Sequence, residues 1–393
     1  MTRRSIEEYA EALRPRYMKG TKEQKGRMLD EFTKVSGLHR KAAIRLLRKR
    51  AEKAYRRRGR PREYTDLVEP LRAVWEASDH LCSKRLKPFL PEMIGALRRH
   101  GEKRIDAATE ARLRQMSAST MDRLLRPYRS RGQRKPLSTT KPGSLLKNLV
   151  PVRTFTDWDK SKFGFVEVDL VAHCGESTEG FYLNTLCAVD VASGWTECLP
   201  VFGKAQVLVK QAIHHMRQRL PCPLLGIDSD NGSEFINQCL FEYCRNEKIT
   251  FTKSRAYKKN DSCYVEQKNG NVVRRLVGYD RYDTRLAFEC LNRLYACARL
   301  YINFFQPSAK LISKTRHGAR VHKVYDTPRT PYRRLLESGT LSQPKTAELA
   351  TSYACADPVL LLSQMRGNLE QLWKLANRST SVTPVMTQPG GSR

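Results

Sequence analysis

Residues 226–235 read GIDSDNGSEF. The run that leads into them, PLLGIDSD, is short and apolar and suits a buried strand. Asn231-Gly232 is a turn dipeptide. The stretch therefore reads as a strand that stops in a tight turn. Asp228 and Asp230 stand on either side of Ser229, and strand alternation puts both on one face. By itself, Asp-Asn-Gly is usually a surface turn. The surrounding sequence decides whether the strand end delivers a carboxylate to a site, and which aspartate it delivers.

Outward from this stretch the pattern is that of an α/β domain. FGFVEVDLVAH (163–173), YLNTLCAVDVAS (182–193) and WTECLPVF (195–202) read as strands. AQVLVKQAIHHMRQRL (205–220) reads as a helix with Val207, Val209, Ile213 and Met216 along one flank. After the strand at 226 come a helix, SEFINQCLFEYCRNE (233–247), and a short strand, ITFTKS (249–254). Three strands, helix, strand, helix, strand predict a mixed five-stranded sheet with helices. A helix then starts in CYVEQKNGNVVRRLVGYD (263–280), and another, RLAFECLNRLYACARLYINFF (285–305), ends before Pro307.

The flanks are helical and basic. Residues 1–55 give an apolar-striped helix, a Ser36-Gly37 turn and a helix rich in Arg and Lys, which is a helix-turn-helix outline with Arg40, Lys41 and Arg45 as candidate DNA contacts. Its plain alternative is a piece of any helical bundle. Residues 56–63 form a basic linker in which Arg58 and Arg60 flank Gly59. Such an extended segment suits a narrow minor groove and equally suits an interdomain connection. Residues 64–128 form a second helical, candidate DNA-binding region. There Ser117 or Ser119 can cap a helix with Met121, Leu124 and Leu125 on one side and Arg123 and Arg126 on the other. Residues 129–154 are a further basic linker, 155–305 the α/β core and 306–377 a basic C-terminal region with short helices. Residues 378–393 are predicted to be a disordered tail.

Of the 393 residues, 72 are Lys or Arg and 40 are Asp or Glu, a formal net charge of +32. That excess points to a polyanion, nucleic acid first. No apolar run is long enough to span a membrane. The N-terminus has no apolar core of a secretion signal. The 11 cysteines are scattered, with no C-x-x-C pair or zinc spacing, and read as reduced thiols of a cytoplasmic protein.

Three carboxylates fall where the α/β pattern converges: Asp169 inside the first strand, Asp230 at the end of the fourth, and Glu266 at the start of the following helix. Residues 231–265, 35 in number, separate the last two. A charge inside Val-Glu-Val-Asp-Leu-Val is costly in a central strand unless it has a task. Mg²⁺ takes oxygen ligands, and two such ions roughly 3.5–4 Å apart assist phosphoryl transfer. Strand centres, strand ends and helix starts are rigid supports for such ligands. Each acid alone has a plain structural reading, and Asp190 also follows a strand. His214-His215 reads as surface or packing, and Trp195 as core.

VEVDLV, AVDVASGWTE, SDNGSEF and SRAYKKNDSCYVEQKN together resemble the integrase catalytic core of retroviral integrases and bacterial insertion-sequence transposases, over about residues 155–305. The resemblance implies an RNase H-like core whose acids form a D,D-35-E triad: Asp169, Asp230 and Glu266, binding two Mg²⁺ or Mn²⁺ ions. It implies a transposase that binds terminal inverted repeats of double-stranded DNA. Water cleaves at the ends to free 3′-OH groups, which then attack target DNA. A dimer or tetramer on DNA, without a membrane and in the bacterial nucleoid, is implied as well. There are departures. No His-His-Cys-Cys zinc domain precedes the core, and Gly270 and Val273 stand where the retroviral pattern has lysines after the Glu. A regular helix would put Asn269 and Arg274 on the Glu266 face as replacement DNA contacts, with Lys258, Lys259 and Arg275 as further backbone contacts. The rival readings are a nuclease of the same fold without strand transfer, and a non-catalytic DNA-binding regulator.

Overall fold

A computed structural model of the chain describes residues 1–48, 63–101, 105–129, 152–153, 162–255 and 262–377. Arg58 and Arg60, Lys258 and Lys259, and the tail from 378 lie outside the described residues. The chain divides into two units, Met1–Thr65 and Asp66–Arg393.

In the first unit, helices α1 (Arg3–Lys19), α2 (Lys22–Ser36) and α3 (Arg40–Arg48) form from apolar stripes of helical period. Thr21 and Gln24 make a reciprocal capping box at the start of α2. Gly37, at φ 70°, ends α2 in the left-handed conformation that suits glycine. Ala10, Leu13, Tyr17, Leu29, Phe32, Ala43 and Leu47 close the core between the three helices.

The second unit starts with α4 (Val68–Ala77), α5 (Ser83–His100), α6 (Ala107–Gln115) and α7 (Ala118–Leu125). Of the two serines that could cap α7, Ser117 does so, accepting the Thr120 N–H at 3.1 Å. Met121 and Leu125 face inward. The core sheet contains β1 (Val152–Arg153), β2 (Phe165–Ala172), β3 (Asn184–Asp190), β4 (Thr196–Val201), β5 (Gly226–Ser229) and β6 (Thr250–Ser254), in the order β1-β6-β5-β2-β3-β4. The five strands predicted from sequence are all present, and β1 adds a two-residue strand beside β6. β2, β5 and β6 run parallel, and β3 is antiparallel to both its neighbours, so the sheet is mixed. Every residue of β3 and β4 is buried. Asp190, 1% exposed, accepts the backbone N–H groups of Gly164 and Ser193, so it serves the turn after β3.

Two helices differ from expectation. In α8 (Gln206–Arg219) the inward residues are Val209, Ala212, Ile213 and Met216, while Val207 is exposed because helical rotation of about 100° per residue puts it on the opposite face. The helix expected from Ser233 starts at α9 (Gln238–Asn246). Asn237 holds an extended backbone there and caps Leu240 N at 3.0 Å, which forbids earlier helical continuation.

Beyond β6 come α10 (Cys263–Lys268), a π-helical turn (Asn269–Arg274), α11 (Arg275–Val277) and the long α12 (Arg285–Phe305). α10 packs on β2 and β3, and α12 on β4. The C-terminal region, where the sequence predicts short helices and leaves open a small β-barrel within 310–340, holds a two-stranded hairpin, β7 (Leu311–His317) and β8 (Arg320–Tyr325). Helices α13 (Pro331–Glu337), α14 (Gln343–Cys355) and α15 (Pro358–Lys374) follow. The second helical region joins the core through α12: Tyr301 Oη donates to Ala77 O at 2.8 Å and Gln306 Nε2 to Ser78 O at 3.0 Å. Among the described residues, no helix is long and apolar enough to cross a membrane.

Candidate active site

Side chains alternate along β2, so Glu167 and Asp169 share a face. In the parallel pair of β2 and β5, Glu167 stands opposite Asp228 and Val168 opposite Ser229. One further step in that register sets Asp169 opposite Asp230, the first residue beyond β5. The register thus separates the two aspartates. Asp228 is 1% exposed and accepts Thr252 Oγ1 at 2.6 Å, so it belongs to the sheet interior. Asp230 lies at the strand end beside Asp169.

The turn after Asp230 holds its carboxylate in place. Its Oδ1 accepts the Gly232 N–H at 2.9 Å, an Asx turn. Asn231 Nδ2 donates to Ser254 O at 2.9 Å and ties the turn to β6. A Cβ at position 232 would lie 2.7 Å from the Glu234 carboxyl carbon and 2.9 Å from Asp230 Oδ1, so any side chain there would push these carboxylates from their present places.

The electrostatics follow from crowding. Asp169 Oδ1 accepts the adjacent Leu170 N–H at 2.8 Å, and Oδ2 accepts Asn269 Nδ2 at 2.6 Å. Burial first, then the charges of Asp230 and Glu234, outweigh those bonds and push Asp169 up to about 7. Burial also raises Asp230, with Glu234 adding to it while the Gly232 N–H and Lys204 oppose it. The sign for linkage is definite. A carboxyl whose folded pKa lies above its unfolded value near 3.8 binds its proton more tightly when folded. Its contribution therefore falls as pH rises from the unfolded value to about 7, and a cation that neutralises the pair opposes that loss.

Glu266 is exposed on α10. Its helix is fastened to the strand of Asp169 by Glu167, which is fully buried: Glu167 Oε2 accepts the N–H groups of Tyr264 and Val265 at 2.9 and 3.0 Å. A carboxylate at a helix N-terminus satisfies open donors and meets the positive end of the dipole. The structure brings Asp169 and Asp230 together. It does not group Glu266 with them: among the described residues, no three His, Cys, Asp or Glu side chains are assembled to hold a metal ion.

The regular helix assumed for Asn269 and Arg274 is replaced by the π turn. Widening the turn aims both side chains inward. Asn269 reaches Asp169, and its own Oδ1 is buried without a partner. The Arg274 guanidinium donates to Ala172 O at 2.9 Å and stacks on the Tyr279 ring at 4.9 Å. Arg275 pairs with Asp79 at 2.9 Å. On the other helices, Arg40 is ion-paired with Asp30, and Lys41 and Arg45 are exposed on α3. Arg123 and Arg126 are exposed at the end of α7. Trp195 is 1% exposed, as core, and His214 faces Tyr243 Oη at 3.3 Å.

Three residues near the site escaped the sequence reading. Glu167 carried a signal, its place two residues before Asp169 on one strand face. Glu234 and Lys204 carried none, because a turn and a strand-to-helix loop bring them to Asp230.

No protein-family model matches the chain. The uncharacterized protein y4rM of Sinorhizobium fredii (strain NBRC 101917 / NGR234) is 48% identical over 333 residues, which span 83% of this chain and 94% of the relative. The chain belongs to the y4rM family. Among solved structures, this y4rM-family chain is similar to the HTLV-2 integrase catalytic core domain in complex with magnesium (dimeric form), with 18% identity, 37% of this chain and 88% of that one covered, and a TM-score of 0.28. It is likewise similar to the catalytic core domain of BIV integrase, with 20% identity, 44% and 95% coverage, and a TM-score of 0.28.

Proposed function

We propose that this protein is a DNA transposase, a polynucleotidyl transferase that cleaves at transposon terminal inverted repeats and joins the freed 3′-OH groups to target DNA. The observation that carries the reading is the strand register that sets Asp169 beside Asp230 at the mouth of a mixed sheet. Two neighbouring buried carboxyls, both held above their ordinary pKa by burial and Asp169 further by the charge of Asp230, suit a divalent cation, and the partnerless buried Oδ1 of Asn269 beside Asp169 is a hard oxygen of the kind Mg²⁺ favours. Asp169 and Asp230 would hold Mg²⁺ or Mn²⁺, with Glu266 joining them in the DNA-bound state. Two ions, when bound, would supply Lewis-acid stabilisation of the attacking and leaving oxygens. Glu167 keeps the Glu266 helix on β2, and Asn269 orients Asp169. No Ser or Tyr nucleophile is needed, because water and then the DNA 3′-OH attack phosphorus directly.

The net charge of +32 supports a DNA partner. Lys41, Arg45, Arg123 and Arg126 are proposed as backbone contacts from their exposure, and Arg58, Arg60, Lys258 and Lys259 from sequence alone. Joining two ends to one target requires a dimer or tetramer on DNA.

The test is strand transfer by the purified full-length protein. A duplex carrying a terminal inverted repeat with a pre-cut 3′-OH end is incubated with Mg²⁺ and plasmid target. Covalent end-to-target products are expected. Hydrolysis without joining assigns the chain to the nucleases, and binding without either reaction makes it a regulator.

A further inference from the structure

Residues 311–325 leave the fold as a two-stranded ribbon whose base is clamped and whose arm is bare. At the base, the Asp326 N–H donates to Lys310 O at 2.9 Å and Asp326 Oδ1 accepts the Lys310 N–H at 2.6 Å, the Lys310 ammonium binds the carbonyls of Val191 and Ala192, and Arg334 pairs with Asp326 at 2.7 Å. Beyond that base every residue of β7 and β8 is exposed. The turn at the tip is two residues long, Gly318-Ala319, with Gly318 at φ 60° in the first central position, a geometry that matches strand twist. An isolated two-stranded hairpin is marginal in water, so this one is built for a surface that covers it.

Its chemistry selects the surface. The ribbon, LISKTRHGARVHKVY, contains Lys314, Arg316, Arg320 and Lys323 and no acid. Lys314 stands directly opposite Lys323. Like charges face to face weaken a ribbon on its own. Among the described residues none of these four cations has an ion-pair partner. Following the register, Lys314, Arg316 and Lys323 lie on one face, while Arg320, His317 and His322 lie on the other. A ribbon resting flat on an anionic surface needs cations on one face only. Cations on both faces suit a groove walled by phosphates on either side, and the major groove of B-DNA, about 12 Å wide, admits a two-stranded ribbon. A second ribbon from another copy of the chain would bring like charges together.

We propose that β7–β8 is an arm that enters a groove of duplex DNA, with Lys314, Arg316, Arg320 and Lys323 on the flanking phosphates. This rests on the proposed function for its DNA partner but not on the acidic site.

The test uses the full-length protein with Lys314→Gln, Arg316→Gln and Lys323→Gln combined. Binding to a duplex and to a single strand of the same sequence is measured by fluorescence anisotropy across a salt series. At about 0.1 M salt, duplex Kd is expected to weaken by about tenfold or more, and the slope of log K against log salt to fall by roughly 2–3, since each phosphate contact contributes about 0.9. The single strand is expected to lose less. Unchanged duplex affinity and slope, with the wild type binding and joining DNA, overturn the arm while the proposed function stands. Equal losses on both DNA forms overturn groove entry. A variant that keeps its duplex affinity but fails to self-associate in sedimentation assigns the ribbon to a second copy instead. A wild type that binds no duplex removes both readings.

Discussion

Asp230→Asn is expected to lower both end cleavage and strand transfer by roughly 10³-fold while leaving DNA affinity within about twofold. A divalent cation contributes several kcal/mol of charge stabilisation to phosphoryl transfer, and about 4 kcal/mol is three decades at 1.36 kcal/mol each. Asparagine is nearly isosteric and still accepts the Gly232 N–H through its Oδ1, so the Asx turn that shapes the loop persists. What it removes is the charge. The same change is expected to lower the Asp169 pKa from about 7, because Asp230 is the largest charge acting to raise it. Carboxyl-carbon NMR of Asp169 reads that shift independently of activity. Full activity in Asp230→Asn, with DNA binding retained, would place the chemistry elsewhere. Asp228→Asn makes the contrast. Asp228 faces Thr252 rather than Asp169, so its loss is expected to show in stability more than in the rate of joining.

Arg299→Met is expected to destabilise the core unit by about 3–5 kcal/mol at neutral pH, the usual cost of stranding a buried charge. Glu197, on β4, is fully buried, and its Oε1 accepts both Trp195 Nε1 at 2.8 Å and Arg299 Nε at 2.7 Å. Arg299 also donates to Arg219 O at 2.7 Å and stacks on the Trp195 ring at 5.6 Å, so it joins α12, β4 and the end of α8. Burial outweighs Arg299 and already holds the Glu197 carboxyl above its ordinary value. With the guanidinium gone it rises further. A raised folded pKa means that the penalty is full above that pKa and shrinks as acid protonates the group. The Arg299→Met deficit in thermal unfolding is therefore expected to be smaller near about pH 5 than near about pH 8. Adding Glu197→Gln is expected to recover part of it. A pH-independent deficit with no recovery in the double variant would mean that packing of the arginine stem, not the ion pair, carries the effect.

The parts of this fold that read clearly in the sequence are those where burial writes a period into the chain. β2 through β6 each bury side chains, so their apolar runs were visible, and a charge inside VEVDLV marked Asp169. The turn dipeptide marked the end of β5. The hairpin was hidden because no residue of β7 or β8 is buried, and an unburied ribbon has no apolar alternation to read. The π turn was hidden for a different reason. Asn-Gly-Asn-Val-Val is compatible with an ordinary helix, and the contacts of Asn269 with Asp169 and of Arg274 with Ala172 O are tertiary, not local to the chain. Glu234 reaches Asp230 through a turn, and Tyr301 reaches Ala77 across 224 positions of sequence. Neither meeting is a local property of the chain. The late start of α9 is written locally, since Asn237 is a good cap.

The central claim is that Asp169 and Asp230 form one cation-binding pair. Its most direct measurement is calorimetric titration of the full-length protein with Mn²⁺ at about pH 6 and about pH 8, in buffers of different ionisation enthalpy so that proton release is counted. The account expects tighter binding at the higher pH, net proton release at the lower pH that fades at the higher, and loss of both in Asp169→Asn and in Asp230→Asn. Mn²⁺ binding that is indifferent to pH, or that survives either substitution unchanged, would contradict it.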